Sequence, residues 1–184
     1  MNVEIFDLLA NDEAKIQQVA TLLFEGFKQH WPDAWPDINS ALQEVQASLM
    51  IDRISRIAIE DSGQVLGWIG GIKQYDGNVW ELHPLVVKTE FHRQGIGRLL
   101  VADLAAEAKQ RGGIVLWVGT DDENNQTTLS GINLYPNVWE HIAKIRNLRD
   151  HPYEFYQKMG FAIVGVMPDA NGIGKPDIFM AKRL

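Results

Sequence analysis

Cysteine is absent from the 184 residues of the chain. Its absence excludes a thiol nucleophile, a disulfide framework and a zinc site with thiolate ligands. It also excludes the transfer of an acyl group through a cysteine thioester. We expect no metal ion in the functional site.

Positive charge is also scarce, because 17 lysines and arginines face 24 acidic residues and leave a formal net charge of −7. Such a surface repels the phosphates of nucleic acids, so no nucleic-acid partner is expected. It attracts small polycations over long distances. The same charge also serves plain solubility, which is the simpler explanation of a charge count alone.

Long apolar runs are missing as well, although apolar residues make up 46% of the chain. No run reaches the length that spans a membrane, and the segment Met1–Asp12 lacks the basic start and apolar stretch of a signal peptide. We therefore expect a cytoplasmic protein with no membrane partner. The length and the apolar content predict a single domain over residues 1–184.

The spacing of apolar residues predicts helices at Glu13–Phe27 and Ile38–Leu49, the second with Asn39 or Ser40 as its N-cap. Three apolar runs with turn residues between them then predict an antiparallel meander. These runs are Arg56–Glu60, Val65–Tyr75 and Val79–Val87.

The pattern changes after the meander. An amphipathic helix at Gly95–Arg111 and a buried strand at Ile114–Gly119 predict a parallel, right-handed crossover. Two helical segments and two short strands follow. The sum is a mixed α/β (α+β) fold in which six to seven strands form a mixed sheet with helices on both faces. Such a sheet often splays where its connectivity changes, and the gap can hold an extended ligand.

A glycine-rich loop separates the meander from the long helix. It comprises His92, Arg93, Gln94, Gly95, Ile96, Gly97 and Arg98. Glycines let the backbone approach a ligand closely, and the free amides at a helix start attract an anion. With cationic side chains nearby, the loop suits a pyrophosphate group. It fits neither the Walker nor the three-glycine dinucleotide pattern, and an ordinary helix start is the alternative.

This loop resembles motif A of the GNAT N-acetyltransferases, Arg/Gln-x-x-Gly-x-Gly/Ala, with His92 where Arg or Gln is usual. The string YQKMGF at 156–161 is similar to the Tyr-x-x-x-Gly-Phe of the same family. The resemblance implies the GNAT fold, with a splayed mixed sheet, and acetyl-CoA as the acetyl donor.

Longer strings resemble the aminoglycoside 6'-N-acetyltransferases in particular. They are WELHPLVV at 80–87, GTDD at 119–122, NLR at 147–149, HPYEFY at 151–156 and KPD at 175–177. The resemblance implies transfer of an acetyl group to the 6'-amine of an aminoglycoside, an antibiotic-resistance activity. It also implies a homodimer. Without a cysteine to acylate, the transfer is expected to be direct, in a ternary complex.

Glu81 and His83 lie two residues apart on one predicted strand and therefore point to the same face. A carboxylate and an imidazole on one face can bind an ammonium group and relay its proton, whereas a surface pair is the alternative reading. The resemblance implies that both are active-site residues. It further implies that Tyr156 protonates the departing thiolate.

Contacts to the donor also follow from the resemblance. The backbone of Leu85, Val86 and Val87 is expected to pair with the pantetheine arm, and the Leu85 amide is the expected oxyanion donor. Asn147 is a further candidate for the arm, and Pro84 fits a bulge or a sheet edge. Aromatic rings that can frame sugars and carboxylates that can hold amino groups are the candidates for the acceptor. They are Trp31, Trp35, Tyr75, Glu81, Asp121 and Asp122.

Two other functions stay open on the sequence. The first keeps the fold and changes the acceptor to a polyamine, an amino acid or a peptide N-terminus. The second is a sensor that binds acyl-CoA without catalysis, although the presence of Glu81, His83 and Tyr156 speaks against it.

Overall fold

The computed structural model describes residues 2–28 and 31–184, which form seven β-strands and five α-helices. The strands are β1 (Val3–Asp7), β2 (Arg53–Glu60), β3 (Val65–Gln74), β4 (Val79–Val87), β5 (Val115–Asp121), β6 (Ala162–Met167) and β7 (Asp177–Arg183). The helices are α1 (Glu13–Phe27), α2 (Ile38–Ala47), α3 (Ile96–Gln110), α4 (Val138–Ala143) and α5 (Tyr153–Lys158). The predicted mixed α/β class, with a sheet of six to seven strands, is confirmed, because the sheet has seven.

The described residues divide into two compact units. The first reaches to Leu116 and includes Leu184, and the second is Trp117–Arg183. In the part of the chain that the structure describes, no helix combines the length and the apolar character needed to cross a bilayer.

The first unit is built on the antiparallel meander that the sequence predicts. Strands β1 to β4 pair in chain order, and each pair is antiparallel. The turn residues at 61–63 and 76–78 separate these strands, as expected from their low strand propensity. The one appreciable shift in bounds is at β2, which begins at Arg53 and not at Arg56, because Arg53 pairs with Ile72 of β3.

Side-chain caps fix where the first two helices begin. At α1 the Asp12 carboxylate accepts a hydrogen bond from the Lys15 amide at 3.1 Å. At α2 the Asp37 carboxylate accepts from the Ser40 amide at 2.8 Å, and the Ser40 hydroxyl accepts from the Asp37 amide at 3.3 Å. The predicted caps Asn39 and Ser40 were therefore wrong. Asp37 is the cap, and Ser40 is its partner in a capping box.

Helices cover both faces of the meander, as predicted. On one face α1 and α2 enclose an apolar cluster that includes Trp68 of β3 and Val86 of β4. On the other face α3 lies so close to β3 that a Cβ placed on Gly71 would come within 2.8 Å of Leu104. Since neighbouring residues of a strand point to opposite faces, both layers are needed to bury β3.

A bulge interrupts the pairing of β3 with β4. His83 and Pro84 of β4 together oppose the single Gly70 of β3. A Cβ at Gly70 would overlap the His83 carbonyl oxygen, so the bulge requires glycine at this position. Of the two places expected for Pro84, a bulge or a sheet edge, the structure has the bulge. Bulges re-aim the side chains of the strand that carries them.

The second unit contains most of β5, with β7 and then β6 beside it. The β6–β7 pair is antiparallel. Helix α4 packs against β6, and α5 packs against β7. The buried side chains include Leu129, Leu134, Phe161, Ile178 and Met180. Strand β6 lies at the end of this strand order.

Candidate active site

The bulge decides which face of the sheet carries Glu81 and His83. Before it, Leu82 pairs with Gly71 and faces α3, so Glu81 faces α1 and α2. After it, Val86 faces α1 and α2, although it lies an even number of residues from Leu82. Leu85 pairs with Ile69 and is therefore on the α3 side. Glu81 and Leu85, whose amide is the predicted oxyanion donor, therefore both lie on β4, with their side chains on opposite faces of the sheet.

The His83 ring lies against the apolar cluster that α1 and α2 enclose. Its imidazole centroid lies 5.9 Å from the ring of Trp35. Trp35 is itself buried and packs edge-on against Phe27 at 4.7 Å. The charge of His83 also acts on the Glu81 carboxylate.

The Glu81 carboxylate is half-buried and anchored on one side. Gln74 Nε2 donates a hydrogen bond to Glu81 Oε2 at 2.5 Å, whereas Oε1 accepts none from the residues that the structure describes. Burial raises the pKa of Glu81, and the charges of His83 and Arg53 and the bond from Gln74 oppose this rise. A carboxylate of raised pKa is a stronger base toward an ammonium proton than an exposed glutamate is.

The glycine loop forms an open turn at the start of α3. Gly95 has a left-handed backbone with φ of 91° and is the N-cap residue of the helix. The first helical hydrogen bond runs from the Leu99 amide to the Gly95 carbonyl. Within 2–28 and 31–184, no side chain caps this helix start. A helix start of this kind offers its amides to an anion.

The space around the loop agrees with a pyrophosphate site. A Cβ at Gly95 would meet no atom within 4 Å, so the surface above the turn is open. The side chains of Arg93 and Arg98 are exposed. His92 Nε2 instead contacts the Val87 carbonyl oxygen at 2.8 Å, which ties the loop to the end of β4. The residues present therefore fit the phosphates of acetyl-CoA.

Tyr156 belongs to the second unit, where α5 carries it into the interior. Its ring packs against Phe155 at 5.1 Å and Phe161 at 5.5 Å. Burial raises the pKa of the Tyr156 hydroxyl, which therefore stays protonated across the physiological range. A buried hydroxyl that keeps its proton is suited to donate it to a thiolate. The side chain of Tyr153, on the same helix, is also buried.

Asp122 organises its loop and is not available at the surface. It is fully buried, and its two carboxylate oxygens accept from the amides of Gln126 at 2.7 Å and Thr127 at 2.8 Å. Because these hydrogen bonds already stabilise the negative charge of Asp122 inside the protein, they favour a structural role for Asp122 over the predicted contact with an amine. Asp121 is half-exposed, and its carboxylate accepts from Asn171 Nδ2 at 2.5 Å.

Asn147 and His151 lock the segment that precedes α5. Asn147 Oδ1 accepts from the His151 amide at 2.8 Å, and Asn147 Nδ2 donates to the His151 carbonyl at 2.9 Å. The His151 ring is buried between the Tyr153 amide and the Asp121 carbonyl, each at 3.2 Å. Burial lowers the pKa of His151, while Asp122 and Asp121 oppose this shift. The contact of Asn147 with the donor stays a prediction.

The three aromatic candidates differ in exposure. Trp35 is buried beneath His83, so it supports the imidazole more than it offers a surface to a sugar. Trp31 is half-buried and packs on Phe27 at 5.7 Å. Tyr75 is 76% exposed and has a left-handed backbone, so its ring is free to meet a ligand.

Two groups of this region were missed by the sequence reasoning. Gln74 and Arg53 act on Glu81, yet neither belongs to a motif. Their signal is the strand register, since Arg53 pairs with Ile72 and Ile72 pairs with Glu81. Counting back from the turn at 76–78 gives the pairing of Ile72 with Glu81, whereas the pairing of Arg53 with Ile72 also depends on a register shift at Ala58 and Ile59. As regards metals, the described residues contain no cluster of three or more acidic or histidine side chains fit to hold an ion.

The chain belongs to the acetyltransferase (GNAT) family, whose model matches residues 16–135. Acetyl-CoA is accordingly its acetyl donor. No curated protein matches the chain.

Comparison with solved structures shows which members of the family the chain is similar to. The chain is 40% identical to an aminoglycoside 6'-N-acetyltransferase complexed with coenzyme A, over 98% of this chain and 96% of that one, with a TM-score of 0.90. It is equally identical, over the same shares, to the aminoglycoside 6'-N-acetyltransferase from Enterococcus faecium, with a TM-score of 0.89. An aminoglycoside 6'-acetyltransferase of type Ii is 33% identical over the same shares, with a TM-score of 0.74.

Proposed function

We propose that the protein transfers the acetyl group of acetyl-CoA to the 6'-amine of an aminoglycoside, directly and in a ternary complex. The observation that carries the proposal is the similarity, over nearly the whole chain, to solved enzymes named for this activity. The anchored carboxylate of Glu81 and the net charge of −7 suit a polycationic acceptor. Since acetyl-CoA is its donor, the cytoplasm is the compartment we propose.

The donor binds at β4 and at the start of α3. The amides at Gly95, Ile96 and Gly97 face the pyrophosphate, and the exposed Arg93 and Arg98 add positive charge. The backbone of β4 from Leu85 to Val87 lines the pantetheine arm. The Leu85 amide stabilises the oxyanion that forms as the amine attacks the thioester carbonyl.

The acceptor binds at Glu81. Its ammonium group donates to the carboxylate, and the proton must leave before nitrogen can attack, because a primary amine has a pKa of about 10 when exposed. Glu81 takes this proton, with His83 or a water molecule sharing the transfer. Nitrogen then bonds to the acetyl carbon, and the carbon–sulfur bond breaks. Tyr156 protonates the departing thiolate, and the second proton that the nitrogen loses restores the Tyr156 hydroxyl.

The test compares two aminoglycosides that share a scaffold and differ only in a 6'-amine or a 6'-hydroxyl. We expect kcat/KM to fall by more than about a hundredfold on the hydroxyl compound, because a hydroxyl is a weaker nucleophile and gives Glu81 no cation to bind. Released coenzyme A can be followed with a thiol reagent without background, since the protein has no cysteine. Added salt should raise the KM of the amine compound, because opposite charges attract in the complex.

Each alternative function gives a different result in the same assay. Equal rates on the two compounds would contradict 6'-acetylation. Faster turnover of a simple polyamine or of an amino acid would assign another acceptor. Binding of acetyl-CoA without thiol release on any amine would favour the sensor.

We also propose a homodimer formed by a second copy of the chain on the surface of α4 and β6. These elements pack together, and their apolar side chains Trp139, Val164 and Met167 are each more than half exposed, with Trp139 at 70%. An end strand beside exposed aromatic surface is a recognised pairing site. Light scattering should give the mass of two chains, and Trp139→Glu should give that of one. A single-chain mass for the parent at micromolar concentration would contradict the dimer.

A further inference from the structure

We infer that Gln74 is a positioning residue for the acetyl transfer: its side-chain amide fixes the Glu81 carboxylate with one oxygen turned toward the acceptor amine. This inference rests on the proposed function of Glu81. Gln74 itself belongs to none of the family-like strings in the sequence.

The geometry comes from the pairing of β3 with β4. Glu81 pairs with Ile72, and Gln74 lies two residues beyond Ile72 on the same face. The two side chains are therefore diagonal neighbours, which long side chains can bridge. Gln74 Nε2 donates to Glu81 Oε2 at 2.5 Å. The strand ends just after Gln74, where Tyr75 and Asp76 both adopt positive φ.

One anchored oxygen has a definite chemical consequence. A glutamate has three rotatable side-chain bonds, and a free carboxylate would sample many orientations. With Oε2 held, Oε1 is the oxygen left to accept a bond from an ammonium group, because it has no partner among the described residues. Placing a base within hydrogen-bonding reach of the proton it removes is a large part of acid–base catalysis.

The amide also affects the charge of the carboxylate. The groups that act on Glu81 are His83 on β4, Arg53 on β2 and Gln74 on β3, and all three favour its ionised form against burial. Removing the Gln74 donor should raise the pKa of Glu81 further. The carboxylate would then be protonated at a higher pH, and activity would be lost earlier as the pH falls.

The test uses Gln74→Leu, which keeps much of the side-chain volume and removes the donor. We expect kcat/KM for the 6'-amine substrate to fall by about tenfold, the loss typical of one hydrogen bond to a charged group. The acidic limb of the pH profile should move to higher pH. Gln110→Leu, the same change on an exposed residue at the end of α3, should leave both within about twofold of the parent.

A double-mutant cycle with Glu81→Gln separates positioning from general damage. If Gln74 acts through Glu81, adding Gln74→Leu to Glu81→Gln should change kcat/KM by less than about twofold. An equal loss in both backgrounds, or an unmoved acidic limb, would overturn the inference. Full activity in Gln74→Leu beside a clear loss in Glu81→Gln would overturn the positioning role of Gln74 and leave the proposed role of Glu81 intact. Full activity in Glu81→Gln would remove Glu81 from the proposed function and the positioning role with it.

Discussion

Replacing Tyr156 with phenylalanine should lower kcat by about a hundredfold, the usual contribution of a positioned general acid. The affinity for acetyl-CoA should stay within about twofold, because the hydroxyl is needed when the thiolate forms and not before. The substitution keeps the ring, and therefore its contacts with Phe155 and Phe161. Turnover and calorimetric titration of the donor measure the two effects separately.

Tyr153→Phe is the matched control. It removes a hydroxyl from the same helix, three residues away and also buried. Its kcat should remain within a few-fold of the parent, that is, a loss of about 1 kcal/mol or less in transition-state stabilisation. If Tyr156→Phe and Tyr153→Phe behave alike, Tyr156 only packs, and another group protonates the sulfur.

Gly97→Asp should weaken the binding of acetyl-CoA by more than about tenfold, because it places a carboxylate beside the expected pyrophosphate position and like charges at close range cost more than about 1 kcal/mol. Gly97 is the second residue of α3, and an acid in the first turn stabilises a helix. Calorimetry at low salt gives the dissociation constant, and added salt should recover part of the loss.

Two variants separate charge from shape in this result. Gly97→Ala adds a Cβ without charge, and Ala106→Asp adds the same charge on an exposed part of α3, about two and a half turns away. Ala106→Asp should bind acetyl-CoA within about twofold of the parent, since the Debye length is about 8 to 10 Å at ordinary salt. Unchanged affinity in Gly97→Asp itself would move the phosphate site away from this loop.

Much of the first unit follows from sequence patterns that act locally. The bounds of α1 were predicted to the residue, since a capping aspartate precedes a regular apolar stripe. The strands of the meander are bounded by turn residues that strongly disfavour strands. The cap of α2 was misassigned because Asp37, Asn39 and Ser40 all have side chains that can cap, and only the geometry shows which one does.

The site was less predictable because it depends on one bulge and on the register beyond it. An alternating strand predicts that Glu81, His83 and Leu85 share a face. The extra residue at His83 and Pro84 turns Leu85 to the other side. Proline suggested the bulge, but the consequence for the faces requires knowing that Gly70 stands opposite.

Asp122 illustrates a second limit of sequence reasoning. Its string, GTDD, gives the two aspartates equal standing, yet Asp121 is half-exposed and Asp122 is fully buried with both oxygens bonded to backbone amides. Those amides belong to a loop without periodicity, so no sequence pattern predicts that they converge on the Asp122 carboxylate. His151 is hidden in the same way, since its ring bonds depend on how the segment before α5 folds back toward Asp121.

The most direct test of the central claim is the position of the acetyl group in the product. The protein is incubated with acetyl-CoA and an aminoglycoside that carries several amines, including the one at 6', and the product is assigned by NMR. We predict one acetyl group, on the 6'-nitrogen, formed in equal amount to the coenzyme A released. Acetylation of a different nitrogen, or thiol release without any acetylated aminoglycoside, would contradict it.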